Sequence, residues 1–177
     1  MPDLFDRYVA TVQEWAPRLD LVSPKDLERF RERHVDDSLR VLPLLDELPD
    51  GPCVDVGSGA GLPGVPLAIA DPSRHWTLLE PRRRRAAFLE EVVRRLALEN
   101  CEVRALTAEE AAREPELAGR HVLATARAVA DAPAVRELSE PLLVPGGLTL
   151  VFSGRSAAAP DDAVEWAPGL TIMRKRG

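Results

Sequence analysis

The chain has little of several things that narrow its function. It has two cysteines, Cys53 and Cys101, each inside a short apolar segment. Two such thiols argue against a disulfide framework or a cysteine metal site, and buried free thiols are expected. Lysine is scarce: apart from Lys25 and Lys175 every basic side chain except histidine is Arg. No apolar run approaches the ~20 residues of a membrane span. MPDLFDRYVA at the N-terminus does not read as a signal peptide, so the expected compartment is the cytosol. A formal net charge of −6 gives no overall attraction to nucleic acid, so RNA binding would need a local basic patch. What is there is a soluble balance of 45% hydrophobic and 29% charged residues. A length of 177 residues suits one domain with a real core.

The first fifty residues read as helical. Leu4, Tyr8, Val12, Trp15 and Leu19 recur on one helical face, and Ser23-Pro24 is a helix start. A third helix is expected over about His34 to Leu48, bent near Pro43. Asp50-Gly51-Pro52 then breaks the chain. Beyond it, strands are predicted at Cys53–Val56, His75–Leu79, Cys101–Leu106, His121–Thr125 and Leu148–Phe152. Helices are predicted at about Pro63–Ala70, Arg82–Leu98, Ala108–Ala112 and Ala132–Leu142, with a Thr107/Glu110 capping box. Alternation of strand and helix predicts a doubly wound, mostly parallel α/β sheet covered on both faces. Ser153–Pro168 is poor in pattern, and Leu170–Met173 reads as an edge strand.

DVGSGAGLPG, residues 55–64, holds four glycines between two apolar segments. A strand, a glycine turn and a helix form the layout of a nucleotide-type binding loop. Gly57, Gly59 and Gly61 follow G-x-G-x-G, and the absence of G-K-[ST] excludes a P-loop. Asp55 precedes the turn and can fix its amides. Glu80, at the tip of the next strand and 19 residues after Gly61, can accept ribose hydroxyls. A glycine turn beside a surface Glu would explain the loop alone. Loop and acid together favour a nucleoside cofactor, S-adenosylmethionine over NAD.

Further motifs surround this loop. DVGSGAGLPGVPLAI, with Leu-Pro-Gly after the glycines, resembles the first motif of the bacterial small-subunit rRNA guanine-N7 methyltransferases, the glucose-inhibited division protein B family. RHVDDSL (33–39) resembles that family's R-H-x-x-D-S-L block, LDLVS (19–23) its N-L-T/V-S segment, and ARAVA (126–130) its S-R-A-x-A motif. Order and spacing agree from about Tyr8 to Gly154. Asp20 stands where the family usually has Asn, and Ser153-Gly154 where it has Lys-Gly. The resemblance implies a Rossmann-like methyltransferase fold, with an N-terminal helical cap over residues 1–50 and a cofactor-binding domain over 51–177. It implies S-adenosyl-L-methionine contacts at Gly57, Leu62, Ala108 and Glu109, the ribose on Glu80, and Arg127 at the reaction site. The implied partner is 16S rRNA of the small ribosomal subunit. A monomer is expected, with no metal and no membrane.

Guanine N7 carries a free lone pair and no proton, so methylating it needs no general base, only alignment. The lack of an evident Ser-His-Asp or Cys-His set agrees with such chemistry. Arg127 can donate to guanine O6 or a phosphate, or form a strand-end ion pair. Arg33 and His34 are further candidates for substrate contact; His34 could instead brace Asp37. Arg82–Arg85 put four cations at a helix N-terminus, against the dipole. They suit phosphate, or a solvated face paired with Glu90 and Glu91. Arg29, Arg31 and Arg33 form a second basic cluster. Phe5, Trp15 and Phe30 read as helix packing. Two other readings stand beside the first: a methyltransferase of the same fold acting on a small purine-like metabolite, and a non-catalytic cofactor-binding or ribosome-associated protein.

Overall fold

The computed structural model describes residues 3–127, 130–152 and 160–175. In chain order the N-terminal part holds α1 (Leu4–Leu19), α2 (Pro24–Leu27), a π-helical turn (Arg31–Val35), α3 (Asp36–Leu39) and α4 (Leu42–Asp46). Then follow β1 (Cys53–Val56), α5 (Gly64–Ala70), β2 (Trp76–Leu79), α6 (Arg83–Leu96), β3 (Cys101–Arg104) and α7 (Ala108–Ala111). The chain continues through β4 (His121–Arg127), α8 (Ala132–Ser139), a 3-10 turn (Glu140–Leu142), β5 (Leu143–Phe152), β6 (Val164–Ala167) and β7 (Leu170–Arg174).

Local chemistry explains several boundaries. Asp3 accepts from the Asp6 amide at 2.7 Å and caps α1, while Ser23 caps α2 with Pro24 in its first turn. Asp20 ends α1 in the left-handed region, φ 49°, which Asn and Asp both tolerate. Thr107 and Glu110 form the expected capping box. The single helix expected over about His34 to Leu48, bent near Pro43, is instead a π turn, α3 and α4, with the break just before Pro43. Pro43 sits in the first turn of α4, where its missing N–H costs nothing, so the helix restarts there.

The seven strands lie in the order β3-β2-β1-β4-β5-β7-β6, parallel from β3 through β5 and antiparallel beyond. β1 and β2 are buried along their whole length, as in a sheet covered on both faces. Alternate side chains feed two cores. Cys53, Trp76, Leu78 and Leu123 pack beneath α1, α5 and α6. Val54, Val56, Leu79, Ala124 and Ala126 pack with residues of α7 and α8. By the same period of two, Arg127 falls on the face of Leu123 and Thr125, toward the N-terminal helices. Cys53 and Cys101 are free and buried, and burial pushes both thiols up to about 12.

Leu170–Met173 is not the expected edge strand. β7 lies between β5 and β6, and β6 is the edge, formed from the stretch that reads as poor in pattern. An edge with Val164 57% exposed needs no apolar alternation. Arg136 on α8 fastens this end: its fork meets Asp162 at 2.7 and 2.9 Å, and it also donates to Glu140 and to the Arg174 carbonyl. Arg74 fastens the other end. Its guanidinium donates to the carbonyls of Leu45, Leu48 and Pro49 at 2.8–3.1 Å, closing the C-terminus of α4.

Asp55 is fully buried at the centre of the sheet. Its carboxylate accepts from Thr125 Oγ1 at 2.8 Å on β4 and from the Gly64 amide at 3.2 Å at the start of α5. Gly64 permits this approach. A Cβ there would run into Leu78 Cδ2 and stand 2.9 Å from Asp55 Oδ2. Gly64→Ala is therefore expected to cost about 1–3 kcal/mol, read as a lower urea midpoint; an unchanged midpoint would show that α5 can move outward freely. Desolvation lifts the Asp55 carboxyl to about 6, despite the opposing pull of its hydrogen bonds. The folded state then holds a proton that the unfolded chain releases above about 3.8. The stability due to this group is accordingly lost as pH rises from that value to about 6. The Asp55 carboxyl carbon should titrate near 6 by NMR; a midpoint near the ordinary aspartate value of 3.8 would contradict the desolvation argument.

Candidate active site

The strand order reverses between β1 and β4, and in open α/β sheets such a switch opens a crevice at the carboxyl ends of the strands. The loop leaving β1 runs into it. Ser58 N donates to Leu79 O at 2.9 Å, pinning the loop to β2. Gly59 has φ +55°, and a Cβ built on it would meet nothing closer than Gly57 O at 3.8 Å. The space beside Gly59 is open. Gly61 is different: its Cβ would lie 2.7 Å from Val65 Cγ2 and 3.2 Å from Tyr8 Oη. Tyr8 is fully buried and its hydroxyl donates to Ala60 O at 2.7 Å, so α1 supports the loop from below.

Glu80 follows β2 and is only 3% exposed. One carboxylate oxygen accepts from Gly59 N at 3.0 Å and the other from Arg82 N at 2.9 Å. These bonds hold the group between the loop and α6. Each oxygen keeps a second lone pair for a ligand hydroxyl.

Across the crevice, Arg127 ends β4. Its Nη2 donates to Asp37 Oδ2 at 2.8 Å, and its guanidinium carbon stands 4.9 Å from the centre of the Phe152 ring. Its Nη1 is buried without a partner among the described residues. The same holds for both ring nitrogens of His34, whose ring packs 5.4 Å from that of Phe30. Asp37 pairs with Arg127 and Arg40, so it does not brace His34. Burial, then the nearby Arg127 charge, lowers the His34 pKa from its usual 6.5. At neutral pH the imidazole is uncharged, with one donor and one acceptor to offer.

These groups border one open cleft of about 390 Å³. Gly57, Gly59, Leu62, Glu80, His34 and Arg127 line it, with Leu21 and Val22 from the segment after α1. Asp55 and Gly61 do not line it; Asp55 supports the turn from the sheet, and Gly61 packs against Val65 and Tyr8. Ala108, buried, and Glu109, exposed, open α7 after β3 and do not border the cleft. Arg33 turns its guanidinium to Asp26 at 2.6 Å. Ser153, Ala128 and Val129 lie outside the described residues. Sequence reasoning missed Leu21, Val22 and the role of Asp37. The first two stand in the quoted LDLVS segment, but no local pattern shows that Asp37 meets a cation 90 positions away. The cleft offers backbone amides, a carboxylate with spare acceptors, unused arginine donors and a neutral imidazole. That set suits a nucleoside and a planar base. Among the described residues no group of three or more His, Cys, Asp or Glu could hold a metal ion, and no helix is long and apolar enough to cross a membrane.

Comparison with solved structures finds the same fold. A Corynebacterium glutamicum protein aligns over 97% of this chain and 91% of its own, with a TM-score of 0.66 at 14% identity. A methyltransferase from Geobacter sulfurreducens aligns over 100% and 91%, with a TM-score of 0.66 at 15% identity. Closer relatives exist in sequence. The chain is 42% identical over 158 residues to the ribosomal RNA small subunit methyltransferase G of Acidiphilium cryptum, covering 87% of this chain and 69% of that one. It is 40% identical over 161 residues to the protein of that name from Granulibacter bethesdensis, covering 90% and 72%. The family model for rRNA small subunit methyltransferase G matches residues 2–165. With loop, acid and arginine gathered on one methyltransferase sheet, and the match spanning most of its length, this chain belongs to the rRNA small subunit methyltransferase G (GidB) family.

Proposed function

We propose that the protein transfers a methyl group from S-adenosylmethionine to N7 of a guanine in 16S rRNA, in the cytoplasm. The observation that carries this reading is the convergence of the Gly57–Gly59 loop, Glu80 and Arg127 on one cleft. Residues 1–50 act as a cap that supplies Leu21, Val22 and His34, and residues 51–177 as the cofactor-binding domain. The cofactor fits the residues present: the open space at Gly59 admits it, and Glu80 has lone pairs for the ribose hydroxyls. Gly57 and Leu62 border the same space, and Ala108 and Glu109 stand at the carboxyl edge of β3 for the adenine side. When bound, S-adenosylmethionine supplies an electrophilic methyl group for in-line displacement.

This chain's own work is alignment. Arg127, fixed through Nη2 by Asp37, has Nη1 free to donate to guanine O6. A donor aimed at N7 itself would block the attacking lone pair, so O6 is the productive partner. Neutral His34 completes the polar lining; its ring packs against Phe30, and the Arg127 guanidinium lies over the Phe152 ring. No nucleophile is required, in keeping with the high thiol values of Cys53 and Cys101.

The direct test offers methyl-labelled S-adenosylmethionine and small subunits from a strain lacking this enzyme. Label should appear in 7-methylguanosine at one position of the digested rRNA. Cofactor bound but no label in RNA would favour a small-molecule substrate. Gly59→Val should weaken S-adenosylmethionine binding by about 100-fold in calorimetry, because valine is strained at φ +55° and its side chain would fill the cleft. Unchanged affinity would sink the loop assignment. Arg127→Ala should leave cofactor affinity within about twofold and cut transfer by about 10²–10³, the range for loss of one preorganised donor; transfer at the parent rate would remove Arg127 from the reaction site.

A further inference from the structure

Of the two arginine clusters visible in the sequence, the fold neutralises one and leaves the other open. Arg29, Arg31 and Arg33 each meet a carboxylate, on Glu32, Asp6 and Asp26, at 2.5–2.7 Å. The guanidinium groups of Arg82, Arg83, Arg84 and Arg85 meet none within 4.0 Å among the described residues; only the Arg82 backbone amide reaches one, that of Glu80. Of the two acids expected to balance them, Glu91 is taken by Arg94 and Arg95 at 2.8 and 2.6 Å, and Glu90, exposed, pairs with none of the four. Arg84 and Arg85 instead donate to the backbone carbonyls of Arg18 and Asp20, at the end of α1. These contacts hold the side chains without cancelling their charge.

The arginines form a second concavity with Arg18, where Asp20 is the one acidic residue in the lining. Arg82 and Arg85 line both this concavity and the candidate active site. A basic track therefore runs from the end of α1 across the start of α6 to the cleft. It sits on a chain of net charge −6 and at the helix end whose dipole disfavours cations. Guanidinium forks suit phosphate oxygens, and phosphate contacts position a nucleic acid without reading its sequence. We propose that Arg18 and Arg82–Arg85 are a docking track for the RNA phosphate backbone flanking the target base, built jointly by α1 and α6. The proposal rests on the rRNA reading above, which it extends to how the substrate is held.

The test uses the full chain and a fluorescently labelled 16S rRNA transcript, with binding followed across salt concentrations. Each phosphate contact contributes roughly 0.7–0.9 to the slope of log affinity against log salt. Arg83→Gln/Arg84→Gln should lower that slope by about 1.5 and weaken binding about tenfold, with S-adenosylmethionine affinity unchanged. Arg83→Lys/Arg84→Lys should restore most of the slope. Arg83→Glu, at an exposed side chain, should weaken binding further with little risk to folding. Arg120→Gln, just before the amino-terminal end of the central strand β4 and away from the carboxyl ends that face the cleft, should do nothing. A slope and affinity untouched by the Gln and Glu variants would overturn the track, as would an equal loss from Arg120→Gln. An acidic protein partner at this surface would give that first outcome. RNA binding that loses its salt slope in the variants, from an enzyme that makes no 7-methylguanosine, would sink the reaction and uphold the track.

Discussion

Asp55 spans the gap between the two central strands and the first helix of the sheet, accepting from Thr125 on β4 and from Gly64 on α5. The loop between Asp55 and Gly64 must therefore turn tightly above the sheet. Its glycines follow from that requirement: Gly64 lets the helix approach, Gly61 fits against Tyr8, and Gly59 leaves the opening. A carboxylate buried there is disfavoured by desolvation, and its acceptor bonds offset part of that cost. The reversal of strand order opens the crevice, and this one join holds β1, β4 and α5 together beneath it.

The N-terminal helices complete the site. α1 packs on α5 and α6 and carries Tyr8 beneath the loop. The π turn and α3 bring His34 and Asp37 to the tip of β4. Asp37 then orients Arg127, leaving one nitrogen of the guanidinium unused. Unmet polar groups on His34 and Arg127 are costly in a buried setting and suit a ligand that satisfies them. Charge follows the same logic. Most of the arginines on the N-terminal helices are matched by acids, whereas the guanidinium groups opening α6 meet no carboxylate among the described residues, and Arg84 and Arg85 lean on carbonyl oxygens instead.

Much of the fold was legible because its signals are local. The glycine turn, the capping box at Thr107, the Ser23-Pro24 start and the buried strands each depend on neighbouring residues. Glu80 was legible as a residue of the cleft because it stands at the tip of the strand that follows the glycine turn. The broken helix after Arg31 was not, because a π turn leaves no periodic mark. Neither was the order β5-β7-β6, since an exposed edge strand has no apolar alternation to read.

The parallel α/β sheet, the glycine loop and the family resemblance can be read along the chain, since periodicity, glycine placement and motif spacing are properties of neighbouring residues. The partners of charge cannot, because they are set by packing between distant elements. That packing gave Asp37 to Arg127 rather than to His34, Glu91 to Arg94 and Arg95 rather than to Arg82–Arg85, and the end of α1 to Arg84 and Arg85. Long charged side chains can reach many acids, and which one they meet depends on how helices distant in the chain come to lie against each other.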